Sequence, residues 1–392
     1  MADPAGAAAG FRRDRVTWTL YALLAWFAYL QAVPGLVVPR LRAEMGFGYT
    51  VGGLHVAAFA AGATLAGAVS ARAERHLGRT RLLWASSGVM ALGAALLTLG
   101  RQPAATVGAI AVMGVGGGLL LATVQVGLAE HHAARPAVAL TEANVAAAAS
   151  YLLLAGTLLL ATAVGLDWRA AVLVSLVAPL LARSANRGTL VEPSRGGMDT
   201  AGGRLPPIFW VAGGMLMCAT AAEWCITAWG ATFVQQALDS SPDRAVAVMA
   251  GYFGGVLAGR VLGSRLTRRH DPSRLFALAL AVALVGFVVA WPSTTPLPST
   301  IGMALLGTGV GNLFPLGLSI AVSVAPQHAA AASGRVVLLT STAILLAPLT
   351  VGTLAEATSL EAALTVVPVL VVLAAVALQV IRRARRRDLA VG

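Results

Sequence analysis

Apolar residues run along this chain in long, nearly uninterrupted stretches separated by short polar segments rich in arginine, glycine and proline. Twelve such stretches stand out, near 17–38, 49–71, 80–100, 104–129, 138–164, 168–183, 207–233, 243–266, 273–291, 298–324, 334–356 and 361–381. Each is close to the ~20 residues a helix needs to cross a hydrocarbon core of about 30 Å. The pattern predicts an all-α membrane protein with twelve transmembrane helices.

The stretches also repeat. Trp18 falls on Trp210, Leu65-Ala66-Gly67 on Leu257-Ala258-Gly259, and Leu154-Ala155-Gly156 on Leu346-Ala347-Pro348, all at an offset of 192 residues. Gly114, Gly116 and Gly118 return as Gly307, Gly309 and Gly311 at an offset of 193. A duplicated six-helix unit predicts two pseudo-symmetric bundles, residues 1–183 and 207–392, joined by a polar linker over 184–206. Two hydrophobic halves in tandem are the organisation of a secondary transporter that rocks one half against the other.

Composition excludes the soluble alternatives. The 392 residues are 58% hydrophobic and 11% charged, against roughly 25% charged in ordinary globular domains. The net charge of +12 is distributed by membrane side and does not call for nucleic acid: with a cytoplasmic N-terminus, 22 arginines fall in cytoplasmic segments and 5 on the opposite side. The positive-inside rule then places both termini in the cytoplasm. All basic side chains are arginine, none lysine, and the alanine-rich composition fits a GC-rich bacterial genome and the inner membrane. The basic segment 1–16 leads into a full apolar span without a small-residue cleavage site, so the first helix is expected to be retained. Cys218 and Cys225 lie seven residues apart on one helix, about 10 Å and beyond disulfide reach. The chain has no CxxC, no histidine cluster and no glycine-rich phosphate loop, and neither metal nor cofactor is expected. A monomer is expected.

Over nearly its whole length the chain resembles the major facilitator superfamily: twelve helices, two halves, a central cytoplasmic loop and a basic loop between helices 2 and 3. Arg72-Ala73-Glu74-Arg75-His76-Leu77-Gly78-Arg79-Thr80-Arg81 resembles a degenerate form of that family's acidic-Arg-x-Gly-Arg loop, and Asp167-Trp168-Arg169 resembles a common ending after helix 5. Ala222-Glu223-Trp224 through Trp229-Gly230, with Gly259-Arg260, resembles the fucose-permease-like branch. Proton-driven drug antiporters of the superfamily carry Gly-Pro in helix 5, where this chain reads Ala155-Gly156-Thr157, so the resemblance favours drug efflux less. It implies that helices 1, 4, 7 and 10 line a central cavity and that helices 5 and 8 meet across the halves.

A charge at membrane depth costs at least ~2.5 to 3.5 kcal/mol, which makes Glu142, Glu223 and Arg260 functional candidates. The repeat sets Glu223 on Gln31, and the resemblance puts the two face to face in the cavity. A lone carboxyl there suits proton coupling or solute binding, while a hydrogen-bonded structural glutamate is the alternative. Gln31, Gln125, Thr227 and Asn312, with the aromatics Trp26, Tyr29, Trp224 and Trp229, complete the expected cavity. Glu142 and Arg260 each sit about 7 to 9 Å inside the cytoplasmic end of their helices, so a salt bridge latching that side is expected, the alternative being bonds within each half. Glu74, Arg79 and Arg335 form a second candidate gate nearer water, where an exposed pair is worth only ~0 to 1 kcal/mol. His55 is expected to be a hydrogen-bonded packing residue. No cationic cluster accompanies the cavity, so a small neutral or weakly cationic organic solute is expected. An enzyme is disfavoured: the two glutamates lie at different depths with no metal-binding histidine beside them. The reading is a proton-coupled secondary transporter, with an exporter or a non-transporting receptor of the same fold as alternatives.

Overall fold

Lipid offers the backbone no hydrogen-bond partners, so each crossing segment has to close its bonds on itself. The computed structural model, which describes residues 11–186 and 205–391, meets this demand with helices, and no strand occurs among the described residues. Twelve helices are long and apolar enough to span a membrane: α1 Arg15–Met45, α2 Tyr49–Leu77, α3 Arg79–Leu99, α4 Pro103–His131, α5 Pro136–Ala163, α6 Trp168–Ala185, α7 Pro207–Ala237, α8 Pro242–Leu266, α9 Pro272–Ala290, α10 Pro296–Ser323, α11 Ala331–Ala357 and α12 Leu360–Arg386. Most of the expected linker, 187–204, lies outside the described residues.

The helix starts follow local chemistry. Six helices begin on proline, whose missing N–H falls where no intrahelical bond is required. α1 begins after Asp14, whose carboxylate accepts the backbone N–H and the hydroxyl of Thr17, both at 2.8 Å. α10 is interrupted at Gly311-Asn312 and resumes at Leu313. Pro315 therefore stands in a first turn, where it disrupts no ladder, and the break lies before it. α1 and α11 instead run through Pro34 and Pro348.

Backbone contact holds each half together. Lipid tails are as apolar as leucine, so helices associate by van der Waals packing that small residues permit. Gly62 of α2 lies against the Ala111 carbonyl of α4, and Gly255 of α8 against the Ala304 carbonyl of α10. Gly114 meets the Phe59 backbone and Gly307 the Tyr252 backbone; Gly93 meets Met113 and Gly286 meets Leu306. Every one of these residues and its counterpart are 193 apart. The register in space is therefore 193 from α2 to α4, and the 192 alignment of Gly67 with Gly259 slips by one: Gly67 faces open space while Gly259 packs on Thr308. The α1–α2 turn, 46–48, is one residue shorter than the α7–α8 turn, 238–241, which accounts for the slip. α1 and α7 keep the 192 offset, and Trp18 and Trp210 are correspondingly 59% and 50% exposed on the outer surface. Trp168 is buried, its indole N–H donating to Glu44 at 2.8 Å.

The halves meet along α1 with α7, α2 with α11 and α5 with α8. His55, fully buried, bonds the Val51 carbonyl at 2.7 Å and the Thr106 hydroxyl at 2.8 Å within the first half.

Two expectations follow. Gly255→Leu forces a side chain into the α10 backbone and should destabilise by at least the ~1 to 3 kcal/mol of ordinary overpacking, whereas Gly156→Leu, with nothing within 4 Å of its added carbon, should be close to neutral; unfolding temperatures in detergent measure both. Burial alone would raise the Asp14 carboxyl, but its bonds to Thr17 and His131 hold it below its usual range. This cap then contributes stability that is full above the ordinary carboxylate range and is lost as pH falls through the lowered value. Asp14→Asn should flatten that part of the stability profile.

Candidate functional site: a polar crevice where the halves cross

Polar groups at mid-membrane depth are costly, and those that persist cluster at one crossing. The Thr227 hydroxyl of α7 donates to the Glu223 carbonyl at 2.9 Å and lies 3.1 Å from the Tyr252 hydroxyl of α8. Tyr151 of α5 donates to Gln31 of α1 at 3.4 Å, and its ring lies 5.2 Å from that of Phe253. Arg260 of α8 crosses to α5 and donates to the Asn144 carbonyl at 2.9 Å. Its charge reaches Glu223, Tyr151 and Tyr252. The Glu223 carboxyl has no hydrogen bond or salt bridge among the described residues. It is half-buried, ringed by protein yet open to solvent.

Gln31, Glu223 and Thr227 thus come together as expected cavity residues, with Trp224 half-buried beside Glu223. Arg260, which depth assigned to a gate, shares this crevice. Tyr151, Tyr252 and Asn144 escaped sequence reasoning because a mid-span tyrosine reads as packing and a backbone carbonyl carries no signal. Tyr252 alone has a legible cue, since it follows Gly251 in the four-residue glycine spacing Gly251, Gly255, Gly259 and Gly263 of α8. The other candidates go elsewhere. Tyr29 and Trp26 are buried inside the first half, where the Tyr29 hydroxyl bonds Thr157 at 2.6 Å and the Ala171 carbonyl at 2.7 Å. Trp229 is buried and donates to the Pro348 carbonyl at 2.9 Å. Asn312 donates to the Gly259 carbonyl and ties the α10 break to α8. Gln125 is exposed on α4.

The crevice is shut on the arginine-poor side. Arg40 and Asp243 pair at 2.5 Å, and the Thr162 hydroxyl donates to the same Asp243 oxygen at 3.0 Å. Glu356 accepts the Thr50 N–H at 3.1 Å, Gln236 donates to the Tyr49 hydroxyl at 2.6 Å, and Gly53 abuts the Leu349 backbone. On the arginine-rich side the ion pairs stay within the first half. Glu142 takes Arg13 at 2.6 Å and the Tyr21 hydroxyl at 3.2 Å, while Arg79 takes Glu74 at 2.7 Å and Glu130 at 2.5 Å. Glu142 and Arg260 are therefore not paired in this conformation, nor are Glu74 and Arg335, which is exposed. No group of three histidine, cysteine or acidic residues able to hold a metal occurs among the described residues, and both cysteines are free.

This geometry makes Asp243 of α8 the shared acceptor of a three-helix clasp with α1 and α5. Asp243→Ala leaves the mostly buried Arg40 guanidinium without its anion, and the sealed state should lose roughly tenfold in population against the alternative. A cysteine placed beside Trp229 should then react faster with a membrane-impermeant maleimide, and an unchanged rate would remove the clasp from the closure.

The chain has recognisable relatives. Residues 212–391 match the family model described as Major Facilitator Superfamily. No curated protein matches significantly. Among solved structures, a D-xylose–proton symporter is similar at 16% identity and TM-score 0.75, covering 93% of this chain and 96% of its own. A bacterial homologue of the human lysosomal transporter Spinster, in an inward-facing unoccupied conformation, is similar at 15% identity and TM-score 0.73 over 97% of this chain and 99% of its own. A nucleoside transporter is similar at 12% and 0.73 over 94% and 99%. The Major Facilitator Superfamily sequence pattern thus covers residues 212–391, and the twelve-helix fold of these transporters is shared across both halves.

Proposed function

We propose that this transporter carries a small neutral or weakly cationic organic solute across a bacterial inner membrane by alternating access, coupled to protons, as a monomer with both termini in the cytoplasm. The observation that carries the reading is the Glu223 carboxyl, unpartnered and half-buried at a crossing of the halves that polar contacts close on the arginine-poor side. A carboxyl so placed exchanges protons with the open side, and protonation removes the charge that opposes its transfer through a dry, occluded state. Gln31, Tyr151, Thr227 and Tyr252 supply neutral donors and acceptors for the solute. Arg260 balances Glu223 when the carboxyl is ionised, so the site as a whole carries no net charge. That favours solutes without net negative charge.

With the arginine-rich face cytoplasmic, the conformation is inward-facing. In the opposite state the cytoplasmic side has to close, and the reading has Glu142 and Arg260 exchange their present partners, Arg13 and the Asn144 carbonyl, for each other. Export by proton antiport would use the same parts, and the direction of flux under an imposed pH gradient separates the two.

Glu223→Gln keeps shape and hydrogen bonding while removing the titration. Accumulation driven by a pH gradient in proteoliposomes should vanish while solute exchange without a gradient persists; full accumulation by the variant rules Glu223 out as the coupling group. For the latch, Glu142→Ala or Arg260→Ala should raise the inward-open population, read as faster labelling of a cysteine in the cytoplasmic half of the crevice. The exchange Glu142→Arg with Arg260→Glu should recover part of the wild-type rate. Wild-type labelling in both single variants would refute the latch.

A further inference from the structure

At the arginine-rich face of the first half, Arg13 is held by Glu142 and Arg79 by Glu74 and Glu130, while Arg72, Arg75 and Arg81 are exposed without an ion pair among the described residues. In the second half the repeat-related α8–α9 turn presents Arg268, Arg269 and Arg274, all exposed, and no ion pair reaches them among the described residues. The turn's one acid, Asp271, is spent on capping α9, accepting the N–H groups of Ser273 at 2.9 Å and Arg274 at 3.1 Å.

The fold adds a second basic segment to this turn from far along the chain. Arg382 of α12 donates to the Ser273 carbonyl at 2.6 Å, and Arg385 donates to the Ser323 hydroxyl at the end of α10. These two contacts dock the end of α12 on the ends of α9 and α10 and leave Arg383 and Arg386 exposed beside the turn. The arginines stand directly above lipid-facing apolar side chains. Leu278, one turn along α9 from Arg274, is 56% exposed; Val380 and Val376, on the Arg383 face of α12, are 44% and 55% exposed. A basic shelf over an apolar wall matches a molecule with a phosphate head and acyl chains.

We infer that the α8–α9 turn and the end of α12 form a binding site for anionic phospholipid on the second half of the transporter, with the arginines taking the headgroup phosphate and α9 and α12 the chains. A free phosphate would gain nothing from the apolar wall. Near a membrane surface each arginine lost lowers anionic-lipid affinity about fivefold.

The test uses purified full-length protein in a neutral detergent, titrated with cardiolipin or with phosphatidylcholine and read by native mass spectrometry of lipid adducts, with the unfolding temperature checking integrity. Cardiolipin should bind wild type well above phosphatidylcholine. Arg268→Gln, Arg269→Gln, Arg383→Gln and Arg386→Gln together should lower cardiolipin affinity by more than about tenfold at an unchanged unfolding temperature. The control variant Arg72→Gln, Arg75→Gln and Arg81→Gln, on exposed arginines of the first half, should change it by less than about twofold. Equal losses in the two variants, or wild-type affinity in the first, overturn the site. Full displacement of cardiolipin by inorganic phosphate overturns the lipid assignment in favour of a free-anion site.

Discussion

Close backbone contact between helices that have no hydrophobic reason to meet is the constraint on which the remaining structure depends. Within the bilayer, burying one apolar side chain against another gains little over burying it against lipid. What remains is packing, and packing at backbone distance needs residues without side chains. Gly62, Gly93 and Gly114 lock α2, α3 and α4 together, and Gly255, Gly286 and Gly307 do the same for α8, α9 and α10. Two rigid bodies result, and only rigid bodies can move against each other as units.

Between these bodies the chemistry is different. The contacts that join the halves on the sealed side are polar and few: the Arg40–Asp243–Thr162 clasp, Glu356 on the start of α2, and Gln236 on Tyr49. Bonds of this kind exchange with water at modest net cost, so the seam is easier to break than the packing within either bundle. Gly35 of α1, resting on the Thr227 carbonyl of α7, lets the halves cross closely at the depth of the polar crevice. Glu223 thus sits beside the crossing itself, where, under the proposed function, a change in its protonation would act on the surface along which the halves move.

The asymmetry between the halves bears on how each one sits in the membrane. Both halves leave arginines exposed at the arginine-rich face, Arg72, Arg75 and Arg81 in the first and Arg268, Arg269 and Arg274 in the second, but in the first Glu74, Glu130 and Glu142 also pair with Arg79 and Arg13, whereas in the second Arg382 and Arg385 dock the basic end of α12 beside the exposed turn. A duplicated fold can therefore keep one packing scheme while its two copies present different electrostatics to lipid.

Much of this was legible in one dimension. Span number follows from apolar run length because hydrocarbon thickness is a length, and duplication showed in Trp18, Trp210 and the glycine triplets because the packing they serve recurs. The single-residue slip was also written in the sequence, yet only the longer α7–α8 turn located it. Depth along a helix singled out Glu142, Glu223 and Arg260, and all three lie within the long apolar helices. Depth is one coordinate, however, and pairing requires the direction in which a side chain leaves its helix as well as the partner that helix meets. The tertiary structure supplied both: it gave Glu142 to Arg13 and Tyr21, brought Arg260 near Glu223, turned Trp229 and Asn312 into packing contacts, and added Tyr151 and Tyr252 to the crevice. The sequence by itself determined how many helices cross, that they form two related halves, and which side carries the positive charge, since these depend on length, repetition and composition. Which polar groups face each other was decided only by the packing of helices distant in sequence.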